Sequence, residues 1–204
     1  MPESRTRIVK PSLIRSAAWL AALAILFILS PSEKTLGDVV KLVYLHGALV
    51  RTGLLAFSIA GILGAIALAS GRSWAIEWGR AVGHAALIVW VLYAVSSMVV
   101  TYLAWGVAIA WGEPRVRVSA QILMAALGFW AVALFLTHWR VKAALNLVLG
   151  ALAWILVRSA GVVIHSVDPI GGSSSVAIQT FYAGIVACVI LLAVELSLWL
   201  KSRG

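Results

Sequence analysis

Charged residues are scarce in this chain of 204 residues. Only 11% of the positions are charged whereas 63% are hydrophobic, and the mean hydropathy is +1.04. A soluble domain has about 25% charged and about 45–50% apolar residues, so this chain lacks the polar surface that water requires. The composition therefore excludes an ordinary soluble domain. It predicts a single integral membrane domain over residues 1–204, with the lipid bilayer as its solvent.

Cysteine and acidic residues are also rare. Cys188 is the only cysteine, which excludes an intrachain disulfide, a CxxC motif and a thiolate metal site. Glu195 is the only acid well inside an apolar run, so the chain of carboxylates usual in ion pumps is missing. The sequence contains no phosphate loop, HExxH motif or serine elbow. We therefore expect no enzymatic activity. The basic residues form no face with exposed aromatic residues, so no nucleic-acid partner is expected either.

Six apolar runs approach the roughly 20 residues that a helix needs to cross a bilayer. The first resembles a signal peptide, but no small-x-small site precedes the break at Ser30-Pro31-Ser32, which favours an uncleaved span. Gly53, Gly61 and Gly64 give the second run a small face for close helix packing. We predict an all-α polytopic bundle of six spans at residues 13–29, 47–70, 81–110, 118–137, 143–164 and 176–200.

The basic residues are unevenly divided between the two sides of these spans. Ten fall on the side of the termini, namely Arg5, Arg7, Lys10, Arg15, Arg72, Arg80, Arg140, Lys142, Lys201 and Arg203. Six fall on the other side, namely Lys34, Lys41, Arg51, Arg115, Arg117 and Arg158. Because Lys and Arg accumulate in cytoplasmic segments, both termini are predicted to be cytoplasmic, in a multi-pass protein of the plasma (inner) membrane. His84 and His138 then lie at cytoplasmic helix ends, as anchors.

Two histidines on the outer side are the candidates for chemistry. His46 precedes the second run and His165 closes the fifth, and two imidazoles at one membrane face could ligate haem iron axially. Arg51 and Arg158 each lie one to two helical turns deeper than the neighbouring histidine. An arginine at that depth is costly without an anionic partner. A haem propionate and a lipid phosphate are both such partners, and snorkelling to the interface needs no ligand.

Three outer segments resemble the CcmC haem-handling proteins of cytochrome c maturation and the related CcsA-type proteins. Residues 41–46 read KLVYLH, similar to the RIMYIH with which the family enters its second span. Residues 111–115 read WGEPR, in the loop where the family carries its tryptophan-rich WWD signature. Residues 164–168 read IHSVD, similar to the family's IHxSVE. Six spans with both ends inside also match, so the resemblance extends over most of the chain.

The resemblance implies b-type haem near the outer face and a role in haem handling or delivery, with no bond-making by this chain. His46 matches the family's first haem ligand. The family's second ligand aligns with Ser174 and its Trp-Trp pair with Pro169-Ile170, so His165 is a substitute that we infer on physical grounds. Trp111 and Glu113 occupy the WWD loop. The candidates for pairing with haem propionates are Arg51, Arg158, Arg115 and Arg117, since a planar guanidinium suits a carboxylate.

Two alternatives use the same scaffold. A pocket closed over its haem makes the chain an electron-relay subunit of a membrane respiratory complex. A scaffold that has lost haem makes it a structural subunit. Both imply other membrane subunits as partners. A small transporter is disfavoured because the spans lack paired polar residues and a Pro- or Gly-broken helix at mid-membrane.

Overall fold

The computed structural model describes residues 13–161, 170 and 173–203. These residues form six α-helices, and no β-strand is present among them. The helices are α1 (Leu13–Leu29), α2 (Val39–Ser70), α3 (Ser73–Trp105), α4 (Pro114–Phe135), α5 (Trp139–Arg158) and α6 (Val176–Ser202). The all-helical class predicted from the sequence is therefore confirmed for the described part of the chain.

Five of these helices, α2 to α6, are long and apolar enough to cross a membrane. Helix α1 is as apolar but has 17 residues, which gives it a length of about 26 Å at 1.5 Å per residue. Lipid-facing side chains are apolar and exposed on every helix, as expected for a bundle whose solvent is hydrocarbon. The structure supports an integral membrane protein.

Consecutive helices run in alternating directions, and α2 lies at the centre of the bundle. It packs against α3, α5 and α6, whereas α1 packs mainly on α6. Sharp turns separate α2 from α3 and end α3, where Gly71 and Gly106 adopt left-handed φ values of 63° and 74°. These are conformations that glycine adopts without strain. One end of the bundle thus collects the starts of α2, α4 and α6 and the ends of α3 and α5.

The small face of α2 allows close contact with α5. A Cβ atom added to Gly61 would lie 3.3 Å from Gly150 Cα, and one added to Gly150 would lie 2.8 Å from Phe57 O. A Cβ on Gly64 would collide with the carbonyl oxygen of Ala143. Backbones approach this closely only where side chains are absent, which is how helices associate in lipid.

Gly64→Ala is therefore expected to destabilise the bundle, by about 1–3 kcal/mol, because the new methyl group must push α5 away from α2. Gly128→Ala is the matched control, since a Cβ at this helical position of α4 meets nothing within 4 Å. Thermal unfolding of both variants in detergent would measure the difference. Equal unfolding temperatures for Gly64→Ala and Gly128→Ala would contradict the close α2–α5 packing.

Several helices begin earlier than the apolar runs indicate. Helix α2 begins at Val39, so His46 lies within it and not ahead of it. Helix α3 begins at Ser73, which places His84 well inside that helix and not at its end. His138 does lie at a helix end: its side chain caps α5 by accepting a hydrogen bond from the Arg140 N–H. A prediction from apolar runs misses the polar turns at the ends of a helix, where the helix extends beyond the hydrocarbon core of the membrane.

Candidate functional site

His46 is half-buried on α2, where it faces α3. Its Nδ1 lies 3.3 Å from Ser96 Oγ, and its ring centroid lies 4.8 Å from that of Tyr93. The Ser96 hydroxyl donates its single proton to the Tyr93 carbonyl oxygen at 2.8 Å. With that proton engaged, Ser96 Oγ accepts from His46 in the tautomer that carries its proton on Nδ1. In that tautomer of a neutral imidazole the lone pair is on Nε2.

Further aromatic rings pack against Tyr93 and so support the contact between Tyr93 and His46. The Trp90 ring lies 4.7 Å from that of Tyr93 and 5.6 Å from that of Phe57. Both α3 residues are anchored to Ser119 of α4: the Tyr93 hydroxyl lies 2.7 Å from Ser119 Oγ, and Trp90 Nε1 donates to Ser119 O at 3.2 Å. Trp90 is fully buried. The position of the His46 ring is thus fixed by contacts that join α2, α3 and α4.

Arg51 and Arg158 lie at the same end of the bundle as His46. The Arg51 guanidinium carbon is 4.9 Å above the Tyr182 ring of α6, a cation–π contact. Arg158 is exposed and is the last residue of α5. Because α5 runs antiparallel to α2, with Gly150 against Gly61, Arg158 is brought near the level of Arg51.

The loop between α3 and α4 brings the remaining predicted residues to the same end. Trp111 is exposed, whereas Glu113 is only 2% exposed and caps α4 by accepting a hydrogen bond from the Arg115 N–H. Arg115 is half-buried and Arg117 is exposed. A carboxylate at the first turn of a helix is favoured by the helix dipole. Glu113 therefore has a structural role, whatever else it contacts.

The loop between α1 and α2 fixes its own two carboxylates. Backbone N–H groups of Thr35 and Leu36 donate to Glu33 and hold its pKa below the usual value. The pKa of Asp38 is lowered by the Ser32 hydroxyl, which donates to it at 2.6 Å, and by Lys41 at 3.3 Å. Both carboxylates thus act in ordering this loop near the start of α2. Folding gains from their charged forms above their ordinary pKa values, and that gain disappears as pH falls through the lowered ones.

The described residues fit one half of a haem site. Within residues 13–161, 170 and 173–203, no group of three or more His, Cys, Asp or Glu side chains could hold a metal ion. Haem iron is bound in its porphyrin and needs only axial ligands from the protein. His46 is the candidate for such a ligand among the described residues, and its Ser96 contact resembles the outer hydrogen bond that orients metal-ligating histidines. The candidate second ligand, His165, lies outside the described residues.

The sequence did not identify the residues that orient His46. Ser96 and Tyr93 are three positions apart, which places them on one face of a helix, and they are among the few polar groups of their span. That spacing was the only feature of the sequence that could have indicated their role. Nothing in the sequence could have indicated the contact between Ser119 and Trp90, because it depends on how α3 packs against α4.

Two cavities lie away from His46. One, of about 380 Å³, lies where α3 and α5 begin, and its lining includes Arg80, His84 and Lys142. The other, of about 430 Å³, lies between α2, α3 and α6. It is lined mainly by apolar side chains and by Thr52, whose Oγ1 has no hydrogen-bond partner among the described residues. None of the predicted site residues that the structure describes lines either cavity.

No protein-family model matches the chain, and no curated protein matches it either.

Proposed function

We propose that this chain is a haem-binding membrane protein in which His46 is an axial ligand of b-type haem near the outer face. The observation that carries the proposal is the hydrogen-bond chain from His46 Nδ1 through Ser96 Oγ to the Tyr93 carbonyl oxygen. It orients the ring, and the tautomer with its proton on Nδ1 carries the lone pair on Nε2. Bound haem supplies a redox-active iron; the protein supplies a ligand held at a fixed angle.

The remaining groups have separate parts in this proposal. His165 is the candidate second ligand. Arg51 and Arg158, at one level of the bundle, are candidates for binding the haem propionates. Arg115 and Arg117, in the first turn of α4, are further candidates. Trp111 offers an exposed ring at the same end of the bundle. Guanidinium groups near a membrane surface are stabilised by such anionic partners.

The cellular role that we propose follows the resemblance to the CcmC proteins: haem handling or delivery for cytochrome c maturation, with other membrane subunits as partners. In this proposal α1 is the sixth span, both termini are cytoplasmic, and the membrane is the plasma (inner) membrane. The alternating helix directions support that orientation, as does the sequence bias of ten basic residues on the predicted side of the termini against six on the other. Electron relay is the alternative use of the same site.

The proposal predicts that His46→Ala abolishes haem binding. The test is a reduced-minus-oxidised spectrum of protein purified after expression with ample haem, for wild type, His46→Ala and His165→Ala. His138→Ala is the matched control, because this histidine caps α5 at the opposite end of the bundle. Loss of the b-type signal in both site variants, but not in the control, identifies a bis-histidine site. Loss in His46→Ala alone removes His165 from the proposal.

Ser96 has a positioning role, and its variants give a finer test. Ser96→Ala is expected to weaken haem binding about 10-fold, the lower end of the effect of losing an outer hydrogen bond to a ligating histidine. Ser96→Thr retains the hydroxyl and is expected to restore the affinity. A haem titration measures both. Wild-type protein that binds no haem contradicts the whole proposal and favours the structural-subunit role.

A further inference from the structure

Three basic side chains surround the cavity of about 380 Å³ at the end of the bundle where α3 and α5 begin. Arg80 and His84 lie on α3 and Lys142 lies on α5, and Arg80 and Lys142 are close enough to act electrostatically on His84. All three are half-buried. Among the residues that the structure describes, none of them forms an ion pair. Glu77, the nearest carboxylate along α3, pairs with Lys201 at 3.5 Å.

The space between these groups exists because its walls carry small side chains. Gly64 and Ala67 of α2, Gly79 and Gly83 of α3, and Ala143 of α5 line it. Asn146 holds the α3 wall in place, since its Nδ2 donates to the Gly79 carbonyl oxygen at 2.9 Å. Close contacts between the helix backbones therefore form the cavity, and the three basic side chains lie at its edge.

The side of the cavity that α4 forms is apolar and faces the bilayer. Phe129, Trp130 and Leu134 of α4 line the cavity, and Trp130 and Leu134 are also among the exposed hydrophobic residues of the bundle. A ligand in the cavity thus meets positive charge on one side and hydrocarbon on the other. Positive charge below the membrane surface is costly without an anion, and basic pockets between helices bind the headgroups of anionic lipids.

We propose that this cavity binds an anionic phospholipid, with Arg80, His84 and Lys142 around the phosphate and an acyl chain along Phe129, Trp130 and Leu134. The site is independent of haem and of His46, which lies at the opposite end of the bundle. Anionic lipids are concentrated in the cytoplasmic leaflet, the side on which this end is proposed to lie.

The test compares the binding of phosphatidylglycerol and phosphatidylcholine with identical acyl chains to the purified full chain in detergent. Lipid-dependent thermal stabilisation and native mass spectrometry both report binding. The cavity variant is Arg80→Gln/Lys142→Gln. The matched control is Arg72→Gln/Arg140→Gln, which removes the same charge from exposed residues at the same end. At about 5-fold per cation, the cavity variant is expected to bind phosphatidylglycerol about 25-fold more weakly than wild type, with the control unchanged.

Three results would overturn the proposal. Equal loss in both double variants means that the attraction is general surface charge. Equal binding of phosphatidylcholine means that the charge is not recognised. Full competition by glycerol 3-phosphate at equal concentration means that the ligand is a soluble phosphate and not a lipid. If the double variant does not purify as a folded protein, the single variants Arg80→Gln and Lys142→Gln replace it, each with an expected loss of about 5-fold.

Discussion

Arg15→Leu is expected to destabilise the bundle far more than Glu195→Leu, although the two side chains form one ion pair. Arg15 Nε lies 2.6 Å from Glu195 Oε1, and its second nitrogen donates to Oε2 at 3.2 Å. The side chain of Glu195 is 9% exposed, whereas that of Arg15 is 43% exposed. Removing the arginine leaves a buried carboxylate without this bidentate partner. Removing the glutamate leaves an arginine that can extend to the interface.

The expected size of the effect follows from the burial of Glu195. A buried carboxylate that loses a bidentate partner destabilises the fold more than an exposed one, and access of water on the arginine side reduces that cost. The double variant Arg15→Leu/Glu195→Leu is expected to be close to Glu195→Leu alone. Reversible unfolding in mixed detergent measures all three and gives the coupling free energy as a double-mutant cycle.

The matched control is the ion pair between Glu77 and Lys201. Its atoms are 3.5 Å apart and Glu77 is 54% exposed, so Glu77→Gln is expected to cost about 0–1 kcal/mol. Equal costs for Arg15→Leu and Glu195→Leu would show that burial does not set the asymmetry. A cost for Arg15→Leu no larger than that for Glu77→Gln would show that the pair does not hold α1.

The pair matters because α1 has little else to attach it. None of its residues is buried, and it packs mainly on α6. Lipid offers apolar side chains the same environment as a neighbouring helix, so apolar contact alone gives little preference for docking. The sequence singled out Glu195 as the one acid well inside a run but offered no partner, because the antiparallel register of α1 and α6 was needed to bring Arg15 to it.

The helical class and the positions of the helices could be predicted because they depend on local composition. Helix α1 has the predicted bounds, 13–29. The start of α2 was missed by eight residues, since Asp38, Lys41 and His46 lower the local hydropathy without ending the helix. A helix satisfies its own backbone hydrogen bonds both inside and outside the membrane. Hydropathy therefore marks the part of the helix that lies in the hydrocarbon core and not the residue at which the helix begins.

Of the candidate site, only the candidate ligand could be singled out from the sequence. His46 stood out by residue type and by the KLVYLH segment that contains it. Ser96, Tyr93 and Ser119 could not be joined to it from the sequence, because each contact crosses between helices and depends on their rotation. The same limit applies to Arg80 and Lys142, which are distant in the sequence and interpreted there only as signals of orientation.

Trp90→Ala is expected to cause the largest loss of stability among single core substitutions. The Trp90 ring is fully buried between Phe57 and Tyr93, and its Nε1 donates to Ser119 O. A Cβ on the facing Gly53 would lie 2.7 Å from the ring, so α2 packs closely against the ring on that side. Truncating a buried tryptophan costs about 3–5 kcal/mol, because the surrounding helices cannot collapse into the cavity.

Trp154→Ala is the matched control for Trp90→Ala. Its indole Nε1 also donates a hydrogen bond, to Ser58 Oγ at 2.7 Å, but its side chain is 45% exposed. Its loss is expected to cost about 1 kcal/mol, the value of one hydrogen bond with little packing. Unfolding in detergent measures both variants. Equal losses would mean that the hydrogen bonds dominate, whereas a large excess for Trp90→Ala identifies the buried ring as the support of Tyr93. Because Tyr93 packs on His46, that variant is also expected to weaken haem binding, while Trp154→Ala leaves it unchanged.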